Sequence, residues 1–314
     1  MVEVYDYKTG CDKPIALCLG FFDCLHLGHA RIIECAMQTG GEIGAAPALF
    51  TFDTSLTDLP GKGEEGEIFT LEERLYRMDE LGIHNAVVAK CDRAFFSLDP
   101  NTFLNTLTAN FDIRAIICGE DYTYGNKGRG NVATLRKFCD SHGILFRSVA
   151  LVSDDNGEKI ASRKIRTLIK NGDMRAVNSY LPLPYIVMGT VVHGRHDGRK
   201  MGFPTANTNL PKDKLKPHMG VYYTNIVLDK KRYPCITNIG THPTFNDYFI
   251  NAETHIIGYE GDLYGKKIVV EFMDKIRDII KFNSKEEIAE QLKKDVIFAR
   301  ENFENDKVRS QRNK

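Results

Sequence analysis

No excess of charge of either sign marks this 314-residue chain: 42 Lys plus Arg stand against 42 Asp plus Glu. A nucleic-acid binder normally carries a strong basic excess, so none is expected here. No run approaches the ~18 to 20 apolar residues that a membrane span needs. The opening MVEVYDYKTGCDK carries charges where a signal peptide would place its apolar stretch, so a soluble, non-secreted protein is expected. CxxC pairs are absent too. The eight cysteines (11, 18, 24, 35, 91, 118, 139 and 235) are scattered, several within apolar runs such as ALCLGFF and AIICG. There cysteine acts as a small hydrophobe, so neither a structural zinc site nor a disulfide framework is expected, and a reducing cytoplasm fits. Repeats and low-complexity tracts are also missing. The one basic cluster, KVRSQRNK at the C-terminus, reads as a frayed, solvated tail.

What is present has two textures. At ordinary domain size the length suggests two domains. In the first half, short apolar runs suit buried strands: Ile15–Leu19, Ala48–Phe52, Ala86–Ala89, Ala115–Cys118 and Leu145–Leu151. Helix signals lie between them. A helix is expected over Ala30–Gln38, a capping box Thr70-Leu-Glu-Glu73 opens a stretch to Leu81, and Asn131 can cap a helix to about His142. Alternation of this kind predicts a doubly wound α/β domain with ligands beyond the carboxyl ends of its strands. The prolines of SYLPLPY mark a boundary, giving domains 1–183 and 184–314. Beyond it, Tyr185–Val192, Val221–Leu228, Tyr233–Asn238, Thr254–Tyr259 and Ile268–Phe272 read as strands joined by turns. No helix intervenes, which predicts a small antiparallel β-barrel. A capping box at Ser284-Lys-Glu-Glu287 opens a last helix. Its stripe of Ile288, Leu292, Val296, Ala299 and Phe303 is expected to close the barrel. Gly61–Gly66 reads as a mobile loop.

Five stretches carry chemistry. Leu19-Gly-Phe-Phe-Asp-Cys-Leu-His-Leu-Gly-His29 joins the first strand to a helix, a turn that gathers backbone N–H groups and the positive end of a helix dipole. His26 and His29 can add hydrogen bonds to a triphosphate there, and Gly28 permits close approach. Zinc is disfavoured because no third ligand lies at a recognisable spacing. Cys118–Gly130, with four glycines, Lys127 and Arg129, suits a nucleotide or flavin, or is an ordinary loop. Ser162-Arg-Lys-Ile-Arg166 offers Lys164 and Arg166 to phosphates, or is an amphipathic helix face. Gly189–Asn207 interleaves Gly194, Gly198 and Gly202 with Arg195, Arg199 and Lys200, a possible flap over polyphosphate without Walker spacing. Thr205 and Asn207 lie on one side of an extended segment as neutral oxygens suited to Mg²⁺ beside ATP, unless Pro204-Thr205 is only a turn. Glu253, on a strand, could accept a proton, although a lone strand glutamate is more often simply solvated. His255 shares its face and carries no assigned role.

Taken in order, GFFDxxHLGH, GEDYTYG, SRKIR, HGRHDGRKMGFPTAN, GVYYTNI, TNIGTHPTF and ETHI with DLYG resemble the bacterial bifunctional riboflavin kinase/FAD synthetase family over nearly the whole chain. The resemblance implies a Rossmann-like nucleotidylyltransferase domain followed by a riboflavin kinase barrel. The barrel would pass the γ-phosphoryl of ATP to the ribityl 5′-hydroxyl of riboflavin. The first domain would join the FMN so formed to the adenylyl group of ATP, releasing pyrophosphate. In that family's terms Glu253 is the general base, Thr205 and Asn207 hold Mg²⁺, and His26 and His29 bind phosphate. The ATP- or flavin-binding surface would include Gly20, Phe22, Asp23, Gly28, Gly119, Asp121, Gly125, Ser162 and Arg166. In the barrel it would include Gly198, Arg199, Gly202, Pro204 and Asn238.

The chain departs from the family pattern at Cys24, where glycine is usual, at Ala161, where serine is usual, and in Phe52-Asp-Thr-Ser-Leu, which lacks the usual prolines and histidine. In the kinase half His242 replaces an arginine and Ile279 a glutamate. Two other readings are a riboflavin kinase with an inactive or altered first domain and a non-catalytic flavin-binding regulatory protein. Retention of Thr205, Asn207, Glu253, His26 and His29 speaks against the latter.

Overall fold

The computed structural model describes residues 1–53, 66–194, 202–229, 231–243 and 248–312. The expected loop at 61–65 and the flap residues Arg195, Gly198, Arg199 and Lys200 lie outside these. The chain divides into two compact units: Met1–Lys164 with Tyr180–Pro182, and Ile165–Ser179 with Leu183–Lys314.

The first unit holds strands β1 (Glu3–Asp6), β2 (Cys11–Leu19), β3 (Ala46–Phe52), β4 (Asn85–Ala89), β5 (Phe111–Gly119) and β8 (Leu145–Val149). They form one sheet in the order β1-β4-β3-β2-β5-β8, every neighbouring pair parallel. A hairpin of β6 (Thr123–Tyr124) and β7 (Gly130–Asn131) follows β5. The helices are α1 (Leu27–Ile43), α2 (Leu71–Glu80), α3 (Arg93–Phe96), α4 (Pro100–Asn110) and α5 (Val132–His142). Ile15–Leu19 and Ala115–Cys118 are buried without a break because each face of the sheet carries its own core. Leu17, Phe50 and Ile116 face one core, with Leu104 and Leu135; Ala16, Leu49 and Ile117 face the other, with Ile33 of α1.

The caps at Thr70 and Asn131 are both formed. One expectation needs correction, and one strand was not expected. The run at Leu145–Leu151 is an edge strand ending at Val149, and Leu145 is exposed. The strand β1 escapes a pattern search because Glu-Val-Tyr-Asp buries little, and parallel pairing to β4 holds it.

The second unit begins inside α6 (Ser162–Asn171), which runs across the division, and continues with α7 (Met174–Ser179). Its barrel strands are β9 (Tyr185–Val192), β10 (Ala206–Asn209), β11 (Gly220–Leu228), β12 (Lys231–Pro243), β13 (Tyr248–Ile256) and β14 (Lys267–Arg277). They close in the order β10-β13-β12-β11-β14-β9, antiparallel throughout. The barrel thus has one strand more than the apolar pattern indicates. Ala-Asn-Thr-Asn is too polar to read as a strand, yet it pairs with both β13 and β9.

The last helix, α8 (Lys285–Arg312), starts where Ser284 Oγ accepts from the Glu287 N–H. Glu287 reaches the Asn283 N–H rather than that of Ser284 itself. Ala299 and Phe303 bury against Tyr223, Ile236 and Ile257, with Leu292 and Val296 half-buried beside them. The barrel is closed by its own ladders, and this stripe covers its flank instead of plugging a gap. The basic tail is correspondingly helical through Arg312, not frayed.

Candidate functional sites

In the first unit the site grows from the end of β2. Phe22 and Leu25 sit at φ 54° and 49°, left-handed conformations that side chains rarely adopt. The turn is held by buried Asp23, whose carboxylate accepts from the Ile68 N–H at 3.1 Å while its carbonyl accepts from Phe69. His26 is the N-cap of α1, its Nδ1 accepting from the His29 N–H at 3.3 Å. The two imidazoles stack, with centroids 3.7 Å apart and planes 9° from parallel, and Phe22 packs on His29. A Cβ at Gly28 would lie 3.0 Å from the His26 ring, which explains the glycine between them.

Burial pushes the His26 pKa down to about 4, and burial reinforced by His26 pushes His29 well below the usual range. Both rings are therefore neutral at pH 7 and act as hydrogen-bonding groups, not cations. The Leu27 N–H is already taken by the Tyr180 carbonyl and the His29 N–H by His26. The helix terminus offers fewer open amides than a bare strand–helix turn would, and the rings stand in for them.

Other predicted residues converge on this end of the sheet. Gly119 ends β5 beside Asp121, which pairs with Lys159. Ser162 begins α6 with its Oγ 3.5 Å from Cys24 Sγ; Arg166 follows one turn later, in the second unit. A cavity of about 780 Å³ opens from Gly20. Phe52, Phe95, Phe96, Phe103, Tyr122 and Tyr124 line it, and Gly125 comes so near Pro100 that a Cβ would sit 2.8 Å away. Sequence reading missed most of this aromatic wall. The only local signal was Phe95-Phe96 in a short helix capped by Asp92.

In the barrel, register assembles the second site. Glu253 on β13 stands opposite Asn207 on β10 and opposite Asn238 on β12, so the three form one row across adjacent strands. Thr205 lies two residues before Asn207, whose Nδ2 donates to the Thr205 Oγ1 at 3.4 Å. Gly194 lies against this pair, since a Cβ there would come 2.5 Å from Asn207 Nδ2.

Two cavities meet at this row. One, of about 550 Å³, is bounded by Val191, Pro204, Asn207, Thr254 and the turn Tyr259–Tyr264. The other, of about 310 Å³, is bounded by Phe203, Asn238, Glu253, Arg277, Phe282 and Leu292. Thr205 lines both. Ile279, where the family pattern has glutamate, lines the second. The turn at 260–262 forms a wall of the first.

His255 gains a role here. Its Nδ1–H donates to the Pro204 carbonyl at 2.9 Å and its ring meets Phe203 edge-on at 5.3 Å, bracing the segment that presents Thr205. Thr205 and Asn207 offer hard, neutral oxygens at a cavity edge, a donor set that fits Mg²⁺. Gly198 and Arg199 lie outside the described residues; Gly202 is at φ 82°.

Comparison with known proteins follows this division. The FAD synthetase family model matches residues 8–164 and the riboflavin kinase model residues 181–303. The chain is 33% identical over 284 residues to the bifunctional riboflavin kinase/FMN adenylyltransferase of Bacillus subtilis (strain 168), covering 89% of each chain. It is 32% identical over 293 residues to that of Listeria monocytogenes, covering 92% of each. A crystal structure described as a macrolide-efflux protein from Streptococcus pneumoniae matches with a TM-score of 0.83 at 27% identity, over 95% of this chain and 98% of that one. Among the described residues no helix is long and apolar enough to cross a membrane. Two catalytic units in this order, each carrying the geometry just described, place the chain in the bifunctional riboflavin kinase/FMN adenylyltransferase family.

Proposed function

We propose that residues 184–314 phosphorylate riboflavin to FMN and residues 1–183 adenylylate FMN to FAD, each with ATP as co-substrate. The larger barrel cavity takes the nucleotide, and the smaller one takes the isoalloxazine against Phe203, Phe282 and Leu292. Thr205 and Asn207 hold Mg²⁺, which neutralises charge on the phosphates. Glu253 accepts the proton of the ribityl hydroxyl as its oxygen attacks the γ-phosphorus, with Asn238 beside it. His255 keeps the Thr205 segment in place. Positioning and charge neutralisation are what phosphoryl transfer requires, so no covalent enzyme intermediate enters. The observation that carries the kinase reading is Thr205 lining both cavities, because a group passed between two ligands must cross a shared boundary.

In the first unit the FMN ring lies among Phe52, Phe96 and Tyr122, and its phosphate attacks the α-phosphorus of ATP. His26 and His29 donate hydrogen bonds to the phosphates as pyrophosphate departs, with Ser162 contributing from the start of α6. The full chain supplied with riboflavin, ATP and Mg²⁺, its products resolved by chromatography, tests this. Glu253→Gln should stop FMN formation yet still convert added FMN to FAD, and His29→Ala should do the reverse. Loss of both steps in either variant would refute independent sites.

A further inference from the structure

Spacing alone shows no recognisable third zinc ligand beside His26 and His29, and in the sequence Cys24 stands out only as a departure from the family pattern. The fold nevertheless brings Cys24, His26 and His29 together, each presenting a ligand atom within 4.8 Å of the other two. The strained turn does this: with Leu25 in the left-handed region, the chain doubles back and sets the residue before it beside the first turn of α1. A second, independent observation points to a ligand. His29 Nδ1 is buried and has no hydrogen-bond partner among the described residues. A buried group left without a partner destabilises the fold, and a bound ion would relieve it.

We propose that Cys24, His26 and His29 form a three-ligand site for Zn²⁺, and that zinc bound there blocks the adenylyl-transfer step. One thiolate and two imidazoles suit zinc, whereas Mg²⁺ prefers oxygen. Tetrahedral zinc holds its ligand atoms about 3.3–3.6 Å apart and lies in the plane of each imidazole it binds, so closing the site turns the His26 and His29 rings out of their stack as it draws the three side chains together. His26 binds through Nε2 once its ring proton moves to Nδ1, which gives up the cap hydrogen bond from the His29 N–H. On binding, the Cys24 S–H bond breaks, sulfur bonds zinc, and the proton leaves to solvent; nothing is oxidised or reduced. Water takes the fourth position. The thiolate departs from the family pattern, where glycine is usual in place of Cys24. Blockade rests on the proposed phosphate role of the histidines; metal binding does not.

Co²⁺ provides the test, because its tetrahedral thiolate complexes absorb in the visible and near ultraviolet. The reduced full chain should take up one equivalent, developing d–d bands and a thiolate-to-cobalt band that Zn²⁺ then abolishes. Cys24→Ser should lose the thiolate band and weaken zinc binding by at least the roughly tenfold that loss of a mere outer-sphere partner costs. Cys235→Ser, at a buried cysteine in the barrel, should keep both. The circular dichroism spectrum and melting curve of each variant report that both units are folded. Absence of a stoichiometric band, or its survival in Cys24→Ser, would overturn the site. Zinc should also inhibit conversion of FMN to FAD in the parent more strongly than in Cys24→Ser while leaving FMN formation intact. Binding without that inhibition would overturn the blockade, and with it the histidines' phosphate role, but leave the site standing.

Discussion

Removal of the Asp295 carboxylate should cripple the kinase step and spare the adenylyltransferase. Asp295 lies on α8 with its side chain 1% exposed and receives three hydrogen bonds from Arg277 at the end of β14. These run from Nε to both carboxylate oxygens, at 3.2 and 3.1 Å, and from Nη2 to Oδ2 at 2.8 Å; Gln291 adds a fourth contact at 2.9 Å. Arg277 also borders the smaller barrel cavity, so the pair ties the covering helix to the wall of that cavity.

Breaking a buried pair by deleting one partner costs about 3–5 kcal/mol, because the other charge remains desolvated. For a unit of this size each kcal/mol moves Tm by about 2–4 °C, so Asp295→Asn should lower the barrel's melting temperature by on the order of 10 °C. Calorimetry should show that transition moving while the other unit's stays. Arg277→Met with Asp295→Leu should recover most of the stability, since an apolar pair of similar volume replaces a buried ion pair at little loss. It should not recover riboflavin affinity. An unshifted melting curve in Asp295→Asn would refute the claim that this pair anchors α8.

Three further outcomes are expected. Burial holds the His255 pKa below its ordinary 6.5, so the unfolded chain binds the proton first on acidification. Its contribution is therefore present above about pH 6.5 and lost as pH falls, and the barrel's denaturation midpoint should decline over that range, less so in His255→Asn; identical slopes would contradict this. Thr205→Val should raise the Mg²⁺ concentration needed for half-maximal FMN formation, and a normal titration would reject Thr205 as a ligand. Phe96→Leu should weaken FMN in the FAD-forming step by about 1 kcal/mol, roughly fivefold in KM, without altering riboflavin KM; a shift in the latter instead would misplace the flavin.

Much of the fold was legible because its signals are local. Continuous apolar runs gave the central strands, and Thr70 and Asn131 announced helices through contacts three residues away. What escaped depends on distant partners. Ala206–Asn209 is a strand only because β9 and β13 flank it, and the aromatic cavity draws on β3, α3, α4 and the β6 hairpin. Thr205, Asn207 and Glu253 could be singled out by residue type and family likeness, but their common row appears only with the register. His255 and Cys24 could not be placed at all, since a carbonyl 51 positions away and a doubled-back turn define what each one meets.

That row has a consequence for how such barrels can diverge. Side chains along a strand alternate between interior and exterior, so one residue inserted within β13 ahead of Glu253 would turn its carboxylate to the opposite surface while the ladders re-formed around it. Lineages of this enzyme should therefore vary freely in their hairpin tips yet keep the residue count through β13 fixed. A descendant that gained a residue there would remain a sound barrel with its chemistry switched off.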